Sequence, residues 1–319
     1  MAARAAATGW RVTLPTDSGR AATKDGRLDV RKTYKLYVGG AFPRSESGRS
    51  YDVQDAKGGF LANAAQASRK DARDAVVAAR AAFAGWAGAT AYNRGQVLYR
   101  VAELMEGRRS QFVDEVSRSE GLTRSRAERT VDAAIDRWVW YAGWSDKVAQ
   151  VFGGLNPVAG PYFDISAPEP TGVVAALAPQ GSSLLGLVSV VAPIVVTGNT
   201  CVVLSSERRP LPSITLAEVL ATSDVPGGVV NVLTGRTAEV APWLASHADV
   251  NGIDLAGAAD AADLVWGDLE QAAADNLKRV RRPAGAGPAA VEPDWSQSPD
   301  PALLRAWLET KTVWHPKGT

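Results

Sequence analysis

Four short runs of aliphatic residues, separated by stretches with helical spacing, constrain the fold more than any other feature of this chain. The runs are GVVAALA from Gly172, TCVVLS from Thr200, GVVNVLT from Gly228 and NGIDLA from Asn251. Strands that are apolar on both faces and alternate with helices are typical of a parallel sheet covered by helices on both sides. The sequence therefore predicts an α/β fold with a doubly wound parallel sheet.

Amphipathic helices are predicted ahead of this sheet. Ser68 and Asp71 form a capping pair, after which apolar residues recur at the three- and four-residue spacing of a helix face. A second helix is predicted from Arg94 and a third from about Ser125 to Val148. The apolar run from Leu184 to Val196 is shorter than the ~20 residues of a membrane span, so it predicts a buried core helix.

The composition argues against several classes of partner. The 319 residues carry 35 Lys and Arg against 34 Asp and Glu, so no overall field attracts nucleic acid or an anionic membrane. The single cysteine, Cys201, excludes an intramolecular disulfide and favours a reducing, cytoplasmic location. His247 and His315 lack neighbours at metal-ligand spacing, so no metal site is predicted. Asp114 and Glu115 are interpreted as ordinary surface charge on a helix face.

Four consecutive segments carry a resemblance to a known family. They are TGVVAALAPQGSSLL, GNTCVVLSSERRPL, PGGVVNVLTG and ADVNGIDLAGAADAA, between residues 171 and 262. In order and spacing they resemble the cofactor domain of NAD(P)-dependent aldehyde dehydrogenases. Upstream, YVGGAF and NRGQVLYRVAELMEGRR resemble segments of the same family. LETKTVWHPKG resembles the arm that completes the family's intersubunit sheet.

The resemblance implies a Rossmann-like sheet with N-terminal helices and a small β oligomerisation arm, in a truncated member without the catalytic domain. We predict a flexible tail over residues 1–33 and a cofactor-type domain over residues 34–282, with an oligomerisation hairpin inserted at 158–170. Where the family continues into its catalytic domain, residues 283–302 are rich in Pro, Gly, Ala and Ser, which predicts a linker. Residues 303–319 form the predicted arm, which pairs with the hairpin of a neighbouring subunit or, alternatively, of its own chain.

The positions at which the family places its catalytic groups carry residues without the required chemistry. The nucleophilic cysteine belongs to the missing domain, and Cys201 lies in an apolar strand, which favours a buried structural thiol. The asparagine whose side-chain amide binds the oxyanion corresponds to the glycine of Pro179-Gln180-Gly181. The glutamate that acts as the general base corresponds to Pro283. Since neither position offers the required side chain, we predict no catalytic residue and no aldehyde oxidation.

The cofactor-binding positions are only partly kept. Glu207 matches the family's ribose-binding glutamate, whereas the matching lysine is Leu204 here. Gly257 matches the first glycine of the phosphate-side turn, but Asp260 adds a negative charge near the expected diphosphate. Gly235 is a third candidate, although a glycine that ends a strand more often meets a turn requirement. We therefore expect no resident cofactor, with NAD or NADP bound weakly at most through Glu207, Gly235 and Gly257.

These features together predict a pseudoenzyme. Its predicted role is that of a structural or regulatory partner subunit, which binds a full-length aldehyde dehydrogenase or a second copy of itself. A degenerate NAD(P)-binding, oxidoreductase-like module is the alternative. A gene product without function also stays open at this point.

Overall fold

The computed structural model describes residues 32–285 and 290–317. The predicted tail, residues 1–33, lies almost entirely outside these residues. The strands are β1 (Thr33–Tyr34), β2 (Ser50–Gln54), β3 (Phe60–Ala65), β4 (Gly154–Asn156), β5 (Tyr162–Pro170), β6 (Val173–Leu177), β7 (Thr200–Leu204), β8 (Val230–Leu233), β9 (Gly252–Asp254), β10 (Arg279–Arg281) and β11 (Leu308–Pro316). The helices are α1 (Arg69–Gly88), α2 (Ala91–Gly107), α3 (Arg109–Glu120), α4 (Arg124–Ala142), α5 (Val148–Phe152), α6 (Leu185–Val196), α7 (Leu211–Leu220), α8 (Thr237–Ser246), α9 (Trp266–Ala274) and α10 (Ala302–Arg305).

Strands β6 to β10 form one parallel sheet in the order β10-β9-β6-β7-β8. Alternate residues of its central strands enter different cores. Val174 of β6 and Val203 of β7 pack on the side of α4 and α6, whereas Val173 and Val202 pack on the side of α1 and α8. The predicted doubly wound α/β fold is therefore confirmed, and the apolar runs are explained by burial on both faces.

The predicted helices are present with shifted ends. Ser68 caps α1, and the reciprocal hydrogen bonds with Asp71 form the capping box that the sequence predicted. The buried helix predicted between Leu184 and Val196 is α6, all of whose residues are buried. The third predicted helix ends at Ala142, because Gly143 follows as its cap. Helix α3 was not predicted.

The chain that follows Tyr34 forms little regular strand structure. After β1, it forms an isolated bridge between Tyr37 and Val232 of β8. The backbone turns at Gly39 and Gly40, whose φ angles are +61° and +85°. A left-handed turn at two consecutive residues ends the extended run.

The C-terminal arm pairs with its own chain. β11 runs antiparallel to β5, with Leu308–Pro316 in continuous register against Tyr162–Pro170. The other edge of β5 pairs with β4, so the hairpin begins earlier than residue 158. The start of the arm is fixed, because the Trp307 carbonyl accepts hydrogen bonds from Asn199 Nδ2 at 2.8 Å and from the Thr171 amide at 3.3 Å. Of the two pairings considered, the structure has the one within the chain.

Part of residues 283–302, whose composition predicted a linker, packs against the α/β domain. Trp295 is only 8% exposed and belongs to the core. Ala284 and Val291 exchange two backbone hydrogen bonds. The start of the predicted arm continues this packing, because Leu304 and Trp307 are fully buried in the same core. Three large apolar side chains, one in the predicted linker and two in the arm, supply the burial that Pro, Gly, Ala and Ser cannot.

Candidate functional site

The sheet reverses its strand order between β6 and β9, and the carboxyl ends of these strands form the crevice where ligands bind in doubly wound folds. A 3₁₀ turn at Ala256–Ala258 follows β9 and lies against the end of β6. A Cβ placed on Gly257 would lie 2.3 Å from the Leu177 carbonyl oxygen. Close backbone approach therefore requires the glycine at position 257 without any ligand.

Glu207, the predicted ribose-binding residue, is engaged within the chain. One carboxylate oxygen lies 2.5 Å from Arg236 Nη1, and the other accepts a hydrogen bond of 2.9 Å from the amide of Thr237, the first residue of α8. The Glu207 side chain is 16% exposed. The hydrogen bond with Glu207 raises the pKa of Arg236, and burial opposes that rise. Glu207 thus stabilises the start of α8 in the chain itself.

Gly235 meets a backbone requirement. Its φ is +146°, a conformation that favours glycine, and an added Cβ would lie 2.9 Å from the Ala67 amide nitrogen. The position joins the end of β8 to the segment that follows β3, where the Ala67 amide donates to the Thr234 carbonyl. Packing between these two segments is sufficient to explain the glycine.

The two positions predicted to weaken cofactor binding differ in their surroundings. Leu204, which stands in place of the family's lysine, is 1% exposed and packs in the core beneath α1 and α8. Asp260 is exposed on the turn after Ala256–Ala258. The first substitution is therefore part of the core, and the second leaves a free negative charge at the crevice.

Residues 179–181 form the turn that corresponds to the position of the oxyanion asparagine. The side chain of Gln180 in this turn is directed away from the crevice. Gln180 Oε1 accepts hydrogen bonds from the Glu207 amide at 3.0 Å and from Ser206 Oγ at 3.3 Å. Gly181 offers only its backbone, and Arg209 Nη1 donates to its carbonyl oxygen. Gln180 therefore joins the turns after β6 and β7.

Glu292 contacts this turn, and no role for it was predicted from the sequence. Its carboxylate accepts a hydrogen bond of 2.6 Å from the Gln180 amide and one of 3.3 Å from Trp295 Nε1. Burial raises the pKa of the Glu292 carboxyl, and hydrogen bonds from Gln180 and Trp295 oppose the rise. No local pattern marks Glu292, since its partner is 112 residues away in the sequence.

Beside the turn, a buried ion pair joins β9 and β10. Arg281 Nη1 lies 2.8 Å from Asp254 Oδ2, and the Asp254 carboxylate also accepts from the Ala256 amide at 2.9 Å. Pro283, which corresponds to the family's general-base glutamate, is buried two residues after β10. The pair fixes the end of β10 and offers neither charge to a ligand.

Cys201 lies in the middle of the sheet. It is unpaired and fully buried in β7, and burial raises the pKa of its thiol well above the ordinary value. A thiol that is both buried and protonated is a poor nucleophile. The prediction that Cys201 is buried is confirmed.

The other titratable residues considered in the sequence also make contacts within the fold. His247 is the C-terminal cap of α8, and its Nδ1 accepts from the Asp249 amide. Among residues 32–285 and 290–317, no group of three metal-ligating side chains is close enough to hold an ion. Glu115 corrects an expectation, because it is buried and accepts hydrogen bonds from Tyr34 and Thr215. Only its neighbour Asp114 is surface charge.

A polar cavity of about 410 Å³ lies next to Glu207. Its walls come from β2, the end of α3 and the turn after β7, and they include Tyr51, Asp55, Ser119, Glu207 and Arg208. Positive and negative side chains are mixed there. The cavity is therefore not a strong attractor for either sign of charge.

Comparison with known proteins matches this architecture to one family. The model of the aldehyde dehydrogenase family matches residues 42–292. The chain belongs to the aldehyde dehydrogenase family. It is 32% identical to retinal dehydrogenase 2 of Gallus gallus over 258 residues, which cover 79% of this chain and 48% of that protein. It is 30% identical to the putative aldehyde dehydrogenase DhaS of Bacillus subtilis (strain 168), over 81% of this chain and 52% of that protein.

Solved structures give the same result. The HpcC protein from Thermus thermophilus is 25% identical, with a TM-score of 0.74 over 80% of this chain and 48% of that chain. A putative aldehyde dehydrogenase from Burkholderia cenocepacia is 26% identical, with a TM-score of 0.73 over 79% of this chain and 50% of that chain. The chain thus spans about half the length of the aldehyde dehydrogenase family members that it matches. Their fold is the α/β fold with the parallel sheet described above.

No helix among the described residues is both long enough and apolar enough to cross a membrane.

Proposed function

We propose that the chain is a non-catalytic member of the aldehyde dehydrogenase family, which acts as a partner subunit of a full-length aldehyde dehydrogenase. The observation that carries the proposal is the small sheet β4-β5-β11, which leaves a row of apolar side chains uncovered. The lack of an accessible nucleophile and the poor fit to a dinucleotide support the same proposal.

The first support is the lack of a competent nucleophile. Cys201 is fully buried in β7 with a raised thiol pKa, so it cannot reach an aldehyde without unfolding of the sheet. Gly181 has no side-chain donor for an oxyanion, and Pro283 has no group that accepts a proton. Acyl transfer through a thiol would need all three functions together.

The second support is a poor fit of the chain to a dinucleotide. Both oxygens of Glu207 are used by Arg236 and Thr237, and Leu204 is part of the core. Asp260 places a negative charge at the crevice, where a diphosphate would be repelled. NAD or NADP binding is accordingly proposed to be weak at most, and no reaction step is assigned to it.

The third support is the surface of the small sheet. Leu155 and Val313 lie opposite Ile165 on the two neighbouring strands, so the three side chains share one face, and Phe163 lies two residues along the same strand. Their exposed fractions are 66% for Leu155, 48% for Val313, 47% for Ile165 and 44% for Phe163. A contiguous apolar face of this kind is typical of a protein interface.

The small sheet also has an open edge. β11 pairs with β5 on one side, and no described strand pairs with its other side. An exposed strand edge accepts a further strand through main-chain hydrogen bonds. The partner of choice is a full-length aldehyde dehydrogenase, because LETKTVWHPKG resembles the segment that such enzymes use between subunits. Association of two copies of this chain is the alternative pairing.

The proposal is tested by co-purification of the tagged chain with a full-length aldehyde dehydrogenase expressed in the same cell. Ile165→Glu and Val313→Glu place a charge within the apolar row, so each is expected to reduce the recovered partner at least tenfold. Thr310→Glu is the matched control, since Thr310 is exposed on the opposite face of β11. Its recovery is expected to equal that of the unaltered chain.

Recovery of the enzyme with Val313→Glu at the unaltered level would exclude the apolar row as the interface. Sedimentation of the purified chain distinguishes a homo-oligomer, which would form without any added enzyme. Tight NAD binding by the unaltered chain would instead favour the module that binds a cofactor. A cytoplasmic location is part of the same proposal and rests on the single, unpaired cysteine.

A further inference from the structure

Lys278 is a buried lysine at the amino end of β10. It is 8% exposed, and its Nζ is buried without a hydrogen-bond partner in the part of the chain that the structure describes. Burial lowers the pKa of the Lys278 ammonium, and the charge of Asp275 opposes that change. A lysine ammonium has three donors and no acceptor, so burial without a partner is unfavourable. Such a group calls for a ligand or a specific role.

The end of α9 fixes the position of this lysine. The Lys278 amide donates to the Ala273 carbonyl at 3.2 Å, and the Leu277 amide donates to the Ala274 carbonyl at 3.1 Å. Leu277 has a φ of +53°, which lies in the left-handed region. These features are typical of a helix C-terminal cap. The backbone therefore holds Lys278 at the point where α9 ends and β10 begins.

Lys278 lines a cavity of about 490 Å³ between α9 and β10. Lys278, Val280 and Arg282 alternate along the extended chain, so they share one face, and Glu270 and Ala274 of α9 supply the facing wall. Val280 packs against the apolar core on this side of the sheet. The cavity therefore has an apolar wall with a cationic residue on either side of it.

The charges around the cavity favour an anion. Arg282 Nε donates to Glu270 Oε1 at 2.6 Å, so the carboxylate of the lining residue Glu270 is already paired. Lys278 has no corresponding ion pair among residues 32–285 and 290–317. An oxyanion that accepts from Lys278 supplies the partner that the ammonium lacks, in a charge-assisted hydrogen bond.

We propose that the cavity between α9 and β10 binds a small oxyanion, a carboxylate or a phosphate, with Lys278 as its principal ligand and Arg282 as a second cation. The flexible four-carbon stem of Lys278 lets Nζ turn toward the cavity that the residue lines. Because the strands are parallel, Lys278 lies at the opposite edge of the sheet from the crevice. The lining residues lie outside the small sheet, so this proposal and the partner role are tested separately.

The test is an NMR titration of the intact chain with labelled lysine side chains, with acetate and phosphate as separate probes. Sodium chloride at equal ionic strength is the reference, because it screens charges without offering an oxyanion. Saturable shifts of the Lys278 signals are expected with at least one oxyanion, and the proton affinity of Lys278 is expected to rise about tenfold. Saturation with acetate alone identifies a carboxylate site, and saturation with phosphate alone identifies a phosphate site.

Lys311 is the matched control in the same sample. Its ammonium is exposed and lies 3.0 Å from Glu169 Oε1, so its signals are expected to respond only as they do in chloride. Arg282→Gln removes the second cation and leaves Lys278 in place, so oxyanion affinity is expected to fall several-fold. Lys278→Met removes the ammonium, so saturable shifts of the Val280 amide are expected to disappear. The Lys311 and Arg282 measurements decide the question if the methionine variant does not fold.

Three results would overturn the proposal. The first is a Lys278 signal that shows no saturable response to either oxyanion. The second is an equal response in chloride, which would assign the effect to screening. The third is a response of the same size at Lys311, which would make the effect a general property of lysines in this chain.

Discussion

Glu207 and Arg236 form an ion pair with an oxygen-to-nitrogen distance of 2.5 Å between the turn after β7 and the start of α8. The second oxygen of the Glu207 carboxylate accepts a hydrogen bond from the Thr237 amide. The presence of Glu207 at a predicted ligand-binding position is therefore explained by its contacts within the chain.

Arg236→Ala releases one oxygen of Glu207 and removes a cation from the edge of the cavity. Because that oxygen then becomes available to a ribose hydroxyl, the variant is expected to bind AMP and NAD several-fold more tightly than the unaltered chain. Calorimetry with both ligands measures the change. Arg208→Ala, which removes a neighbouring exposed arginine, is expected to have no such effect. Equal affinities of the two variants would show that Glu207 does not limit binding.

Leu204→Lys restores the residue type of the family but places an ammonium group in the core. Since Leu204 is almost completely buried, the substitution is expected to lower the free energy of unfolding by about 3 kcal/mol or more, without a gain in NAD affinity. Thermal unfolding and calorimetry check the two parts. Leu204→Met keeps the volume and is expected to cost less than about 1.5 kcal/mol. A stable lysine variant with improved NAD binding would contradict the position of Leu204 in the core.

Asn199 joins three parts of the fold. Its side chain accepts from the Gly172 amide at 2.7 Å and donates to the carbonyl of Trp307 and to Thr197 Oγ1, both at 2.8 Å. Asn199→Ala leaves the buried Gly172 amide without a partner and removes one of the two hydrogen bonds to the Trp307 carbonyl, so it is expected to lower the free energy of unfolding by about 2–4 kcal/mol. Urea unfolding followed by circular dichroism measures the loss.

The control for this prediction is Asn276→Ala. Asn276 is exposed and makes one long hydrogen bond, to the Ser246 carbonyl at 3.3 Å. Its loss is expected to change the free energy of unfolding by less than about 0.5 kcal/mol. Similar losses in the two variants would contradict a special role of Asn199 at the start of the arm.

Glu120 is expected to make stability depend on pH. Burial raises the pKa of its carboxyl, and hydrogen bonds from the hydroxyl and amide of Ser183 oppose the rise. The folded chain then holds a proton that the unfolded chain has lost, so the contribution of Glu120 is fully present below about pH 4.3 and is lost as the pH rises through the raised pKa. The stability of the unaltered chain relative to Glu120→Gln should therefore fall between mildly acidic and neutral pH in urea unfolding.

Glu309→Gln is the control of opposite sign. The hydrogen bond from Arg279 lowers the pKa of Glu309, so its contribution is present above the ordinary glutamate pKa and is lost as the pH falls through the lowered value. A difference with the same sign in both variants would contradict one of the two assignments.

Local patterns were sufficient to predict the sheet and several helices. Both faces of β6 and β7 are buried, which leaves continuous apolar runs in the sequence, and the capping box of α1 lies within four residues. Contacts between distant segments leave no such pattern. Glu292 meets a turn 112 residues away, and the buried Glu115 accepts hydrogen bonds from Tyr34 and Thr215, which are 81 and 100 residues away.

The packing of residues 290–297 could not be predicted from composition. Residues 283–302 contain few apolar side chains, yet Trp295 is buried, and Glu292 and Gln297 form hydrogen bonds with the domain. The arm illustrates the converse. It pairs along its whole length with β5, yet both faces of β11 are mostly exposed in this chain.

The ion pair between Arg279 of β10 and Glu309 of β11, at 2.5 Å, places two points of the chain side by side that are 30 residues apart. The chain leaves the parallel sheet and enters the arm through neighbouring positions. Because these two positions are adjacent, the chain between them can be lengthened or shortened without displacing the strands on either side. The parallel sheet and the arm can therefore keep their geometry whatever the length of the segment that joins them.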